Sequence, residues 1–427
     1  MTPAETSLAD SPAPVAAKPR FFDLCLAEPF RIFFPLATLL GLSGVSLWPL
    51  FFSGLHKFYP GAMHARLMIE SFLAGFVIGF LGTALPRLLS SPPLRREELR
   101  LLLALYLLTA GLHIGEQPRA GDCAFIALLL AFGACMIRRI HERTALPPPG
   151  FVLVAFGLLS GLAGPALWLC GLQGWVPGSV MIFGGMLLNQ AFVLFLLLGI
   201  GTFLLPRFLR LRDVRTMAEE RTASTGWRLR AAFSAGTGLL LLASYWLEAS
   251  DPAAPTAAWL RSVSAIVYLA TMIPFHRQSW PVRTASLAAQ LALLALVVGL
   301  IFPLFWPAQR FAGLHVVFLG GFSLITFTVA TRVVLGHSGN EALFETRLPS
   351  LQITTLLLLV GAAMRAFGDF SPARPHWLSH ASYLWMLAAG IWGFSILPKV
   401  RIADPSEDLS CSARRQRTLS QGLPPQT

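Results

Sequence analysis

SVMIFGGMLLNQAFVLFLLLGIGTFLL, residues 179–205, contains no charged side chain and only Ser, Asn, Gln and Thr as polar ones. About 20 helical residues cross the hydrocarbon core of a bilayer, and at about 1.5 Å per residue this run is long enough to do so. Within a helix every backbone polar group is satisfied internally, which is the condition for placing a segment in lipid. Comparable apolar runs lie near 32–52, 64–88, 99–115, 122–138, 151–171, 229–248, 257–275, 283–306, 312–335, 351–368 and 377–397. Together they predict an all-α fold, a polytopic transmembrane helical bundle of about 12 spans with the lipid bilayer as its solvent.

Composition points the same way. Hydrophobic residues fill 55% of the 427 positions and charged residues 13%, too few to coat a water-soluble core of this size. A net charge of +12 would raise nucleic acid as a partner in a soluble protein, but the cations are segregated by loop. Of the 33 Lys and Arg, 26 fall at the tails and in every second connection; Lys57, Arg66, Arg119, Arg261, Arg310, Arg365 and Arg374 lie on the other side. The positive-inside rule then puts both termini in the cytoplasm.

Residues 29–398 form the bundle in this reading, as two sets of six helices joined by the basic connection 207–228. That connection reads as a lipid-headgroup surface rather than a nucleic-acid site. Residues 1–28, rich in Ala, Pro and Ser, read as a disordered tail without a signal peptide, and residues 399–427 as a disordered basic tail. Three Leu-Pro-cation motifs, Leu85-Pro86-Arg87, Leu205-Pro206-Arg207 and Leu397-Pro398-Lys399, are expected to stop helices at the cytoplasmic face. The five cysteines include no CxxC pair and are read as structural.

The chemistry then rests on polar residues inside the bundle. In the second span Ser71, Gly75, Gly79 and Thr83 make a small-residue stripe that admits a neighbouring helix, and His64 and Met68 fall on the same face. Arg66 and Glu70 are four apart and can neutralise each other along one helix, or serve a function as intramembrane charges often do. Asn189, Gln190 and Gln290 need hydrogen-bond partners in a dry interior.

Nine histidines are present, of which His56, His64, His113, His315, His376 and His380 lie toward the outer side and His141, His276 and His337 toward the cytoplasm. Imidazole is a common ligand for haem iron and for copper. His64 and His315 occupy crowded helix faces, and His337 follows on the helix of His315 within Thr331-Arg332-Val333-Val334-Leu335-Gly336-His337-Ser338-Gly339. The 22 residues between His315 and His337 span about 33 Å of helix, so these two cannot share one ion. Arg332 either pairs with an anion such as a haem propionate or snorkels to the interface.

These landmarks resemble the NnrS family of multi-span membrane proteins, from about residue 29 to residue 397. The resemblance is carried by Phe30-Arg31-Ile32-Phe33-Phe34, His64-Ala65, Gly79-Phe80 with Thr83-Ala84 and Pro86, Gly199-Ile200-Gly201-Thr202-Phe203-Leu204-Leu205-Pro206-Arg207-Phe208, His315, and the stretch Thr331 to Gly339. It implies a bacterial inner-membrane protein that binds haem, and copper, in the response to nitric oxide and nitrosative stress. It carries His64, His315 and His337 across as metal or haem ligands. The family's second span opens His-Ala-His-Glu-Met where this chain reads His64-Ala65-Arg66-Leu67-Met68, so no ligand is implied at position 66.

Two other readings compete. One is a transporter or anion carrier with Arg66, Glu70, Arg332 and Arg365 lining a path. The other is a degenerate family member that keeps the scaffold without the cofactor. No phosphate loop, nucleophile elbow or zincin spacing is present, so no enzymatic class is assigned.

Overall fold

The computed structural model describes residues 21–209, 211, 223–252, 255–277 and 283–403, and all regular structure among them is helical. A short α1 (Phe21–Ala27) precedes twelve long helices: α2 (Phe30–Phe52), α3 (Gly61–Leu89), α4 (Arg96–Ile114), α5 (Pro118–His141), α6 (Phe151–Leu172), α7 (Gly178–Phe208), α8 (Thr225–Ser250), α9 (Thr256–Met272), α10 (Thr284–Phe305), α11 (Pro307–Gly336), α12 (Pro349–Gly368) and α13 (Arg374–Arg401). The stretch quoted at the outset lies within α7.

Nine of these helices, among the described residues, are long and apolar enough to cross a membrane. The expected 12 spans match the long helices in number, but α4, α8 and α9 fall short of that measure. α4 opens on Arg96, Glu97, Glu98 and Arg100, α8 carries Arg228, Arg230 and Glu248, and α9 has 17 residues.

The order of elements repeats in fours. α2 packs on α3 and α4 on α5; α6 on α7 and α8 on α9; α10 on α11 and α12 on α13; and α13 closes back onto α2. In each four the second helix contains a π-helical segment: Leu67–Leu73 in α3, Leu187–Ala191 in α7 and Val316–Ser323 in α11. Such wide turns recur at functional sites because they re-aim side chains within an otherwise regular helix. In the first, the buried Tyr106 hydroxyl of α4 donates to the Ser71 carbonyl over 2.8 Å.

Glycines set the closest crossings. A Cβ on Gly164 of α6 would lie 2.7 Å from the Leu188 backbone nitrogen and 2.9 Å from the Gly184 carbonyl oxygen of α7, so backbone rather than a flexible side chain would have to yield. Gly164→Ala is therefore expected to destabilise the α6–α7 pair by about 1–3 kcal/mol, the usual range for an overpacked site. Thermal unfolding in detergent reads this out, and an unchanged melting temperature would contradict the crossing.

Three expectations are corrected at the boundaries. Within the stretch 1–28 read as a disordered tail, Phe21–Ala27 forms α1, with Cys25 buried in it and Glu28 buried directly after it. The C-terminal boundary also moves, since 399–401 complete a 3-10 turn in which Val400 is buried. The Leu-Pro-cation prolines do not stop α3 and α7, which continue to Leu89 and Phe208. α3 ends instead at Ser90, whose φ of 51° breaks the helical path. Much of the connection 207–228, taken as the divide between two halves, and the greater part of both tails lie outside the described residues.

Candidate functional site

The three π-helical segments border one cavity of about 570 Å³, within the range of about 300–1,000 Å³ common for cofactor and small-molecule sites. Met68, Ile69 and Leu73 come from the first, Asn189 and Gln190 from the second, and Phe318, Leu319 and Ser323 from the third. Trp48, Trp168 and Trp385 complete the apolar wall.

His64 and His315 both line this cavity, each one residue or a few before the π segment of its helix. Their Nδ1 atoms are engaged in the same way: His64 Nδ1 bonds the Gly44 carbonyl at 2.9 Å and His315 Nδ1 the Phe311 carbonyl at 2.7 Å. A backbone carbonyl on Nδ1 fixes that nitrogen as the protonated one and leaves the Nε2 lone pair for an electrophile, the arrangement usual for metal-bound histidine. The Trp48 ring stands edge-on to His64 with centroids 5.8 Å apart and holds its orientation.

Cations gather in the same cavity. Arg310, Arg365 and Arg374 line it, opposed by Glu248 and Asp369. Arg365, which lines the cavity, is ion-paired with Asp369, Nη1 to Oδ1, at 2.9 Å. Gln190 accepts from Arg261 at 3.1 Å across helices, whereas Asn189 donates to the Gly185 carbonyl of its own helix at 2.8 Å. Gln290 reaches the Phe275 carbonyl at 3.5 Å.

His337 and Arg332 do not join this site. His337 caps the far end of α11, where it bonds Glu28 and meets Arg87 Nη1 at 2.9 Å. Arg332 pairs with Glu341 and lies over the Phe344 ring. At the same end Arg31, 2% exposed, donates to Glu28 Oε2 at 2.6 Å and to the carbonyls of Val400, Ile402 and His337 at 2.6, 2.8 and 2.8 Å.

Arg66 and Glu70 find partners on other helices rather than each other. Arg66 grips both oxygens of Asp122 at 2.6 and 2.8 Å, a bidentate fork stronger than a pairing along one helix. Glu70 meets His113 Nε2 at 2.8 Å. The proposed transport path through Arg66, Glu70, Arg332 and Arg365 is thus divided among three separate places. Sequence reasoning passed over Asp122, although a lone acid among apolar residues of a span demands a cation at its own height.

An all-helical, multi-pass membrane protein with two imidazoles and three arginines lining one cavity is the class that this architecture defines. The NnrS protein family model matches residues 25–401, and the chain belongs to that family. Among curated proteins none is significantly similar to it.

Proposed function

We propose that this chain holds a haem in the cavity between His64 and His315, within a twelve-span bundle of the bacterial inner membrane whose termini are cytoplasmic, and acts in the response to nitric oxide and nitrosative stress. The observation that carries the proposal is the matched pair of imidazoles, each tied through Nδ1 to a backbone carbonyl and both lining the same space. Family membership supports the role in nitrogen-oxide defence.

The donor set fits the group. His64 and His315 would hold the iron, the tryptophan and phenylalanine walls suit the macrocycle, and Arg310, Arg365 and Arg374 would receive its two carboxylates. Haem supplies one-electron chemistry and affinity for diatomic ligands, tuned by its axial ligands and surroundings. The protein's own part is to fix the imidazole tautomers, orient the rings and exclude bulk water from the cavity.

Met68 favours a second reading. Its thioether lines the cavity beside the two histidines, a donor combination that suits copper. Absorption spectra and metal analysis of the full-length protein, purified in detergent after growth with ample haem precursor, separate the two. A Soret band with iron near one equivalent per chain is expected; its absence overturns the haem proposal, and stoichiometric copper in its place supports the second.

A further inference from the structure

A second constellation of ligand-type side chains lies apart from the cavity. Glu70 from the π segment of α3, His113 from the end of α4 and Asp122 from the start of α5 each present one atom within 4.8 Å of the others. None of the three lines the cavity of His64 and His315. All are buried, at 0%, 2% and 1% exposure.

The charges there are unevenly matched. Arg66 compensates Asp122 through two hydrogen bonds, which leaves Glu70 with the single contact to His113. Glu70 Oε1 and His113 Nδ1 are both buried without a hydrogen-bond partner. A second carboxylate in a dry interior, half of its acceptor capacity unused, calls for a further positive charge.

We propose that Glu70, His113 and Asp122 form a site for a divalent transition-metal cation of the zinc class, clamping α3, α4 and α5 together. Zinc bonds nitrogen and oxygen at about 2.0–2.2 Å, so its ligand atoms lie about 3–4 Å apart, within the 4.8 Å limit on the separation of the three here. Binding requires Nε2 of His113 to exchange its hydrogen bond with Glu70 for the metal. Two carboxylates and one imidazole favour zinc, manganese or ferrous iron over soft cuprous ion. Arg66 then acts from behind, orienting Asp122 as outer partners orient metal-bound carboxylates. Gly121 makes room for the ring: a Cβ there would lie 2.3 Å from His113 Cε1 and 2.4 Å from Nδ1.

The test uses full-length protein purified in detergent from zinc-supplemented cells, with zinc, manganese and non-haem iron measured per chain. About one equivalent is expected in the wild type and in His64→Ala, which leaves this cluster intact, and at least a tenfold loss in Glu70→Gln and His113→Ala. Chelator-treated wild type, a measurement independent of any variant's folding, should recover one equivalent on titration with zinc chloride. A wild type that neither carries nor takes up stoichiometric metal overturns the site, as does full metal content in a folded Glu70→Gln protein. Failure of the haem proposal would show separately, as a missing Soret band with this metal still present.

Discussion

Replacing Arg31 with alanine is expected to cost about 3–5 kcal/mol of stability, the range found when one partner of a buried ion pair is removed. The guanidinium is 2% exposed and joins three parts of the chain: Glu28 before α2, the His337 carbonyl after α11, and the Val400 and Ile402 carbonyls at the end of α13. Without it these carbonyls lose a donor and Glu28 keeps Arg87 and His337 alone. Burial by itself would raise the Glu28 carboxyl, but the hydrogen bond and charge of His337, with Arg31 and Arg87, pull it from 4.5 down to about 2. A carboxylate depressed in this way contributes stability that is complete above 4.5 and lost as pH falls toward about 2, on the order of 3 kcal/mol in all. Melting temperatures in detergent at neutral pH and across the acid range test both statements. An Arg31→Ala protein that melts with the wild type, or a wild type whose melting point is flat from pH 5 to pH 2, would show that this junction is ornamental.

Haem content should fall at least tenfold in His315→Ala and in His64→Ala, and stay unchanged in His337→Ala and Arg332→Ala. The first pair faces the cavity and the second pair lies at the other end of α11, engaged with Glu28, Arg87 and Glu341. Haem spectra per chain, read beside size-exclusion profiles as a folding control, decide between them. Equal haem in all four variants would place the group elsewhere. Cells dependent on this protein should lose tolerance to a nitric oxide donor in step with haem loss; tolerance that survives in the haem-free variants would detach the two parts of the proposal.

The helices were legible because lipid imposes a one-dimensional rule: nine of the apolar runs lie in helices long and apolar enough to cross a membrane among the described residues, while α4, α8 and α9 carry more charge or are shorter. The facing of His64 onto a crowded interior was also open to reading, since the stripe through Ser71 and Gly75 packs as small residues do: a Cβ on Gly75 would lie 2.8 Å from Ala37 Cβ. What the sequence hides is the third dimension. Arg66 and Glu70 look like a self-contained pair until α5 is seen to bring Asp122 to their level and α4 to bring His113. Arg310 and Arg374 read as ordinary loop cations, although the cavity collects them with Arg365. The π-helical turns have no compositional mark, so a wheel drawn at 3.6 residues per turn drifts out of phase beyond each of them.

That phase drift has a consequence for how such a protein tolerates change. Each wide turn holds one residue more than α winding uses over the same rise, offsetting the two halves of its helix by about 100°. The half that lines the cavity and the half that runs to the opposite end can therefore answer to different neighbours, and α3, α7 and α11 all exploit this around the same cavity. A single-residue deletion there would leave an unbroken helix with its two ends out of register, a lesion invisible to hydropathy and ruinous to the chamber.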